Sequence, residues 1–211
     1  MPPEFKKTLT PALRQWFDLK STNFDVIFFF KVGKFYELYH MDAVVAVKEL
    51  GLTFMKGDYA HAGFPEIAFS RFADSLVSKG YKVGRVEQTE KPDQMLERVK
   101  NTKLDKTVKR EICRITTPGT KTFNLLDNEA GQTFSQYLYA IIEKESIVQD
   151  KKVKLFGVCF VDTTVGNFYT GQFEDDRNCS KLRTTFAQYP PAQILFDRSL
   201  ISKETKHIGN Q

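Results

Sequence analysis

Val32-Gly33-Lys34-Phe35-Tyr36-Glu37-Leu38 is the stretch on which the reading of this 211-residue chain turns. In an extended strand side chains alternate between faces, so Phe35 and Glu37 share one face while Tyr36 and Leu38 share the other. Tyr36 and Leu38 are the pair suited to a core. Phe35 and Glu37 then set an aromatic ring beside a hydrogen-bond acceptor, roughly 7 Å apart along the strand. On pattern alone this is a core strand carrying one solvated Glu. The functional alternative is that an apolar ring of this shape wedges between stacked bases while the carboxylate accepts from a base edge.

On the N-terminal side, residues 26–32 are a β-prone run. Before them Thr10 reads as an N-cap and Pro11 as a first helical position, with Leu13, Trp16, Phe17 and Lys20 at helical spacing. Gly33 either bends the strand or lets another backbone approach closely. On the C-terminal side, 42–50 reads as a helix stopped by Gly51. Residues 52–55 and 60–64 read as strands around a Lys56-Gly57-Asp58 turn. Pro65 opens a helix with Ile67, Phe69, Phe72, Leu76 and Val77 on its apolar side, ending at Lys79-Gly80. A strand at 81–88, a polar helix at 93–103 and a strand at 108–116 follow. Such alternation predicts a mixed α/β domain.

Pro118-Gly119 marks a boundary. The expected organisation is a first domain at 1–120, a linker at 121–133 and a second domain at 134–211. In the second, 134–143, 155–163, 168–173 and 193–196 read as strands, and 144–154 as a charged hairpin loop. Asp175 or Asp176 caps a helix to 188, Tyr189-Pro190-Pro191 stops it, and Ser202 begins the last helix.

The net charge of +5 is unevenly placed. Residues 1–118 hold 20 Lys and Arg against 15 Asp and Glu, whereas residues 119–211 hold 11 of each. The densest cluster is Arg98, Lys100, Lys103, Lys106, Lys109, Arg110 and Arg114, a surface suited to phosphates or simply a solvated face. No apolar run approaches the ~20 residues of a membrane span. Cys113, Cys159 and Cys179 are odd in number and far apart, and His40, His61 and His207 are scattered, which argues against disulfides and a zinc site. Thr117-Pro118-Gly119-Thr120-Lys121 lacks P-loop spacing. Asp162 reads as a turn residue, since metal-assisted phosphodiester cleavage needs a cluster of acids.

Lys31 to Ala43, Lys-Val-Gly-Lys-Phe-Tyr-Glu-Leu-Tyr-His-Met-Asp-Ala, resembles the mismatch-reading motif of the MutS family of DNA mismatch-repair proteins. Within the family it resembles the eukaryotic homologue six, which reads the mismatch in a heterodimer with MutS homologue two. Gly-Leu-Thr-Phe-Met-Lys-Gly (51–57), His-Ala-Gly-Phe-Pro-Glu (61–66), Arg-Val-Glu-Gln-Thr-Glu (85–90) and Arg-Glu-Ile-Cys-Arg-Ile-Thr-Thr-Pro-Gly-Thr (110–120) follow in the family's order. Phe-Val-Asp-Thr-Thr-Val-Gly (160–166) and Tyr-Pro-Pro (189–191) resemble the start of its connector domain. Lys34, where bacterial relatives usually carry an acidic or polar residue, favours the eukaryotic form.

The resemblance implies a complete mixed-sheet recognition domain followed by a truncated, ribonuclease-H-like connector whose sheet has an open edge. It implies double-stranded DNA with mispairs or small loops as ligand, homologue two as partner, and the nucleus as location. ATP and magnesium would belong to a C-terminal domain beyond this chain, which is itself no enzyme and needs no cofactor. Phe35 is the expected wedge and Glu37 the base acceptor, with Lys31 and Lys34 as phosphate or sugar anchors and Gly33 allowing close approach. Pro65 and Glu66 are expected to open a helix near the same surface, where the free backbone N–H groups of its first turn could meet a phosphate. Lys56, His61, Arg71, Lys109 and Arg110 complete the expected DNA-binding set. Two other readings stay open: a nucleic-acid-processing enzyme, which needs paired carboxylates or a phosphate loop, and a protein-interaction module, which would bury Phe35.

Overall fold

The run Val26-Ile27-Phe28-Phe29-Phe30 is apolar at every position, so the strand it forms needs cover on both faces. In the computed structural model, which describes residues 3–100, 106–120, 137–148 and 151–209, it becomes the middle strand of a five-stranded sheet. The chain divides into two units, Met1–Thr117 and Pro118–Gln211. The expected linker at 121–133 lies outside the described residues.

The first unit begins with α1 (Pro3–Thr8), α2 (Pro11–Thr22), β1 (Val26–Val32), β2 (Phe35–Tyr39) and α3 (His40–Leu50). It continues with β3 (His61–Pro65), a 3-10 turn (Glu66–Ala68), α4 (Phe69–Ser78), β4 (Lys82–Gln88), α5 (Pro92–Lys100) and β5 (Arg110–Thr116). The strand order is β3-β2-β1-β4-β5, with β1 and β4 parallel and the other pairs antiparallel. This is the mixed α/β sheet expected. One face carries Ile27, Phe29, Tyr36, Leu38 and Val83 under α3 and α4. The other carries Val26, Phe28, Phe30, Tyr39 and Val86 under Leu13 and Trp16 of α2.

A buried ion pair ties the layers together. Lys20 on α2 lies 2.7 Å from Asp42 on α3, and its ammonium also donates to the Val26 carbonyl at 2.5 Å. The other Asp42 oxygen accepts from the Phe28 N–H at 3.0 Å, so one carboxylate holds the helix on each face and the central strand. Burial pushes the Asp42 carboxyl above the usual range, opposed chiefly by Lys20.

Several expected elements differ. Residues 52–55 form no strand, and their one ladder-like contact is the Met55 N–H to the His61 carbonyl at 2.7 Å. Pro65 closes β3 instead of opening a helix, because it pairs with Phe35 at the end of the ladder. The 3-10 turn that follows shifts the helical phase, and Ile67, expected on the apolar side, is 92% exposed. Gly33 does not bend a continuous strand. It is the first residue of a two-residue β1–β2 loop, with φ of 59°, and a Cβ there would meet nothing within 4 Å. The requirement is the positive φ, which a glycine meets at no steric penalty.

The second unit contains β6 (Tyr137–Val148), β7 (Lys151–Asp162), β8 (Asn167–Asp175), α6 (Ser180–Gln188), β9 (Pro191–Phe196) and α7 (Lys203–Gly209). Its sheet order is β8-β7-β6-β9, with only the β6–β9 pair parallel. Tyr139, Ile141, Phe156, Val158 and Phe160 pack with Leu182 of α6 and Ile208 of α7. Asp175 and Asp176 both accept from first-turn N–H groups of α6, at Leu182 (2.9 Å) and Ser180 (3.1 Å) respectively. Of the expected loop at 144–154, residues 144–148 and 151–154 instead continue β6 and β7, with Lys144 opposite Leu155 and Glu145 opposite Lys154, while 149–150 lie outside the described residues. The backbone ladder continues there without needing an apolar face.

Replacing Asp42 with Ala would leave a buried ammonium without its counter-charge and strip the Phe28 N–H of an acceptor. The expected loss is about 3–5 kcal/mol of unfolding free energy, read from urea titrations of the chain. A loss under about 1 kcal/mol would mean the pair does not hold the layers.

Candidate nucleic-acid interface

β2 emerges from the core at its N-terminal end, and its two faces behave differently. Tyr36 and Leu38 are buried against α3 and α4, as the alternation predicted. The Tyr36 ring packs with Phe64 and Phe69, with the Lys31 ammonium 4.6 Å above it. Its hydroxyl donates to Glu87 and accepts from Arg85. Burial and the Glu87 bond push this phenol up to about 12.

The Phe35 face shows a gradient. Phe35 is 47% exposed, the Glu37 side chain 20%, and Tyr39 5%. The alternation therefore breaks at Tyr39, which shares the Glu37 face but is buried. Trp16 (5.9 Å between ring centroids) and Phe30 (6.0 Å) cover it. Beyond α2 that cover ends, and Phe35 stands clear. The next residue, His40, takes φ of 51° and starts α3, so β2 stops at Tyr39.

Glu37 is held by its neighbours. Its Oε2 accepts from the Tyr39 hydroxyl at 2.6 Å and lies 3.0 Å from His61 Nε2. Gly63 sits opposite Glu37 across the β2–β3 ladder. A Cβ at Gly63 would come within 3.0 Å of Met55 Cε, so the missing side chain makes room for Met55 beside Glu37. Burial pushes the Tyr39 phenol far above its ordinary range, reinforced by the Glu37 bond, so it stays a neutral donor.

The expected site residues fall into three groups. Phe35, Glu37, His61 and Pro65 share one face, with Gly33 and an exposed Lys34 at the loop beside them. Lys56 and Lys109 are exposed on flanking segments. Lys31, Arg71 and Arg110 do not join as expected. Lys31 points to the opposite face, is buried, and is paired with Glu66, whose carboxyl it holds below the usual range. It is therefore a core-edge residue and not an exposed phosphate anchor. The Glu66 N–H, expected to be open, donates to the Lys34 carbonyl at 2.9 Å. Arg71 is exposed on α4, which covers the face opposite Glu37, and stacks on Phe72.

Arg110 lies on the Glu37 side but is committed internally. Its guanidinium covers Phe30 at 5.0 Å and donates to the Lys31 carbonyl (2.6 Å) and the Val108 carbonyl (3.0 Å). Burial lowers its pKa, and electrostatic interaction with the neighbouring Tyr39 and Glu37 opposes that shift. Arg98, from the same basic cluster, is paired with Glu90 through two nitrogens, at 2.8 and 3.0 Å. Lys103 lies outside the described residues. The residues that sequence reasoning missed are Tyr39 and Met55. Tyr39 was legible as the third member of the Phe35-Glu37 face, whereas nothing in the sequence signals Met55. Among the described residues, no three His, Cys, Asp or Glu side chains converge as metal ligands.

Sequence models of MutS domain I and MutS domain II match residues 10–124 and 136–211. The chain belongs to the MutS family. It is 53% identical over 212 residues to the human DNA mismatch repair protein Msh6, covering 99% of this chain and 16% of that protein. Against a probable DNA mismatch repair protein Msh6 of Drosophila melanogaster the identity is 49%, covering 99% of this chain and 17% of that protein. The archaeal DNA mismatch repair protein MutS of Methanosarcina acetivorans is 33% identical over 91% of the chain and 21% of its own length. The chain thus spans about a sixth of the length of its Msh6 relatives. In MutS terms, the first unit contains the domain I match up to residue 117, and the site just described lies within it.

Arg110 and Lys109 are neighbours with different commitments. Arg110→Ala should lower stability by about 1–3 kcal/mol, through two lost hydrogen bonds and a lost cation–π contact. Lys109→Ala should stay within about 0.5 kcal/mol. Thermal and urea melts of both variants check this, and equal losses would contradict the difference in placement.

Proposed function

We propose that this chain reads mispaired or looped bases in double-stranded DNA, as the sensing part of a mismatch-repair protein. The observation that carries the reading is Phe35. It is a large apolar ring left half in solvent at the end of a strand whose adjacent residue, Tyr36, is fully buried. An exposed aromatic on rigid backbone suits insertion beside a base step, where unstacking costs a few kcal/mol and least at a mispair. Discrimination then comes mainly from how readily the DNA kinks, with base-edge contacts refining it.

Glu37 supplies that refinement. It lies two residues along the same face and accepts from a ring N–H or exocyclic amine of the displaced base. A carboxylate near phosphates is repelled by them, so its presence favours DNA that offers a donor in return. The exposed Lys34, Lys56 and Lys109 contribute sequence-independent affinity through phosphates. Pro65, opposite Phe35, shapes the apolar tip. The mismatch-repair names of the human, fly and archaeal relatives support the same assignment.

In this proposal the partner is MutS homologue two, the location is the nucleus, and ATP with magnesium is handled elsewhere in the full-length protein. The work of this part is recognition and not catalysis.

Titrations of matched and mispaired duplexes with the full-length protein in its native assembly test the reading. Phe35→Ala should leave the melting temperature within about 2 °C and reduce mismatch preference at least tenfold, by weakening mismatch binding. Glu37→Gln should also reduce preference, but by tightening the matched duplex as repulsion falls. A Phe35→Ala protein that melts several degrees lower with preference intact would make Phe35 a packing residue. Separately, Lys34→Ala should weaken both duplexes alike and flatten the salt slope by about 0.9. An unchanged slope would show that Lys34 does not reach a phosphate.

A further inference from the structure

The carboxylate of Glu37 is asymmetrically loaded. Both of its donors, the Tyr39 hydroxyl and His61 Nε2, converge on Oε2. A carboxylate oxygen has about two lone-pair directions, so Oε2 is filled, while Oε1 has no hydrogen-bond partner among the described residues. The two donors are themselves fixed. Tyr39 and His61 face each other across the β2–β3 ladder, and their rings stack at 4.9 Å with planes 22° apart. Behind Tyr39 stand Trp16 and Phe30, and Tyr59 lies 6.1 Å from the His61 ring.

We infer that Tyr39 and His61 are positioning residues that pin Glu37 through Oε2, so that Oε1 alone is offered to the base. This deepens the proposed reading of Glu37 and rests on it. The physical reason is pre-organisation. An unpinned glutamate samples several rotamers, and its carboxylate can turn either oxygen outward. Two donors on one oxygen select a single orientation before DNA arrives, which removes an ordering penalty from binding. They also neutralise part of the charge on the inner oxygen. The outer one keeps its acceptor strength for a displaced base, in a place where phosphates would otherwise oppose a fully bared carboxylate. The pin runs unbroken into the core, from α2 through Trp16 to Tyr39 and on to Glu37. Base readout is thereby coupled to the packing of a helix that does not itself carry the wedge.

The test is a set of double-mutant cycles on mismatch preference, measured with the full-length protein in its native assembly and with melting temperatures recorded for each variant. Tyr39→Phe keeps the stacked ring and removes the hydroxyl; His61→Leu removes the donor; His61→Gln keeps an N–H at a similar reach. Glu37→Ala alone should abolish the base-edge part of the preference. If it does not, the reading of Glu37 fails, whatever its neighbours do. Given that it does, Tyr39→Phe and His61→Leu should each reduce preference about three- to tenfold. His61→Gln should restore most of the loss. In the Glu37→Ala background the same two changes should have no further effect. Full additivity in that background would mean that Tyr39 and His61 act on DNA or on folding by themselves, and would overturn the inference. So would intact preference in both Tyr39→Phe and His61→Leu while Glu37→Ala destroys it. Should His61→Leu or Tyr39→Phe lower the melting temperature sharply, the comparison of His61→Gln with Glu37→Ala decides: a Gln variant as poor as Glu37→Ala rejects the pin.

Discussion

The burial of β1 on both faces is the constraint from which the rest of the first unit follows. Every side chain from Val26 to Lys31 is buried, so neither face of this strand can meet water. An antiparallel sheet with one wet face would have read as alternating polar and apolar residues, and Val-Ile-Phe-Phe-Phe does not alternate. Two layers of helix are therefore required, and the sequence supplies α2 for one and α3 with α4 for the other. Lys20 and Asp42 bolt these layers to the strand between them. A buried pair is weak evidence for net stability. Here its value is registry, since a single carboxylate fixes α3 against the Phe28 amide while its cation fixes α2 against the Val26 carbonyl.

Cover that is obligatory at the middle of the sheet ends at its tip, and the candidate site is what lies past that limit. Phe35, Glu37 and Tyr39 are successive residues on one face, and their exposure falls steadily from the loop inward. The same strand thus offers an aromatic ring in solvent, a carboxylate at the margin, and a buried hydroxyl that holds the carboxylate. Charge plays a smaller part than the composition suggests. Lys31, Arg98 and Arg110 count toward the excess of the first half, yet each is engaged inside the chain. Other cations of this unit remain exposed, among them Lys34, Lys56 and Lys109.

What was legible in the sequence was local periodicity. The faces of β2, the cap at Thr10, the stop at Gly51 and the alternation of strands and helices all rest on interactions within a few residues, and all appear in the structure. The misreadings concern partners distant along the chain. Lys31 looks like a solvent-facing cation until Glu66, on the far side of β3, is seen to claim it. Arg110 looks like a phosphate contact until its guanidinium is found lying on Phe30. Pro65 satisfies every rule for a helix start, but its pairing with Phe35 makes it the end of a strand, and this one shift turns Ile67 outward. The charges of 144–154 suggested a loop because composition speaks to side chains, whereas the ladder that continues there is made by backbone. The tip of Met55 lies against Gly63, where a side chain would crowd it, a contact that no periodicity encodes.

The division of labour between Phe35 and Tyr36 explains how the proposed wedge can be both exposed and rigid. An exposed aromatic on a mobile loop would lose backbone freedom on insertion, at about 1–2 kcal/mol per residue fixed. That loss would offset much of the discrimination available from a mispair. Here the backbone of Phe35 is already held within the sheet, paired with Val32 on one side and Pro65 on the other, next to the Glu66 N–H bond to the Lys34 carbonyl. Its neighbour is anchored more firmly still: the Tyr36 ring lies among Phe29, Phe64 and Phe69, beneath the Lys31 ammonium, with its hydroxyl tied to Glu87 and Arg85. Lys31, withdrawn from the surface, and Arg85, which stays exposed, both brace Tyr36 and through it the neighbouring Phe35. Adjacent positions on one strand separate the two demands, with Phe35 left in solvent and Tyr36 spent on the fold.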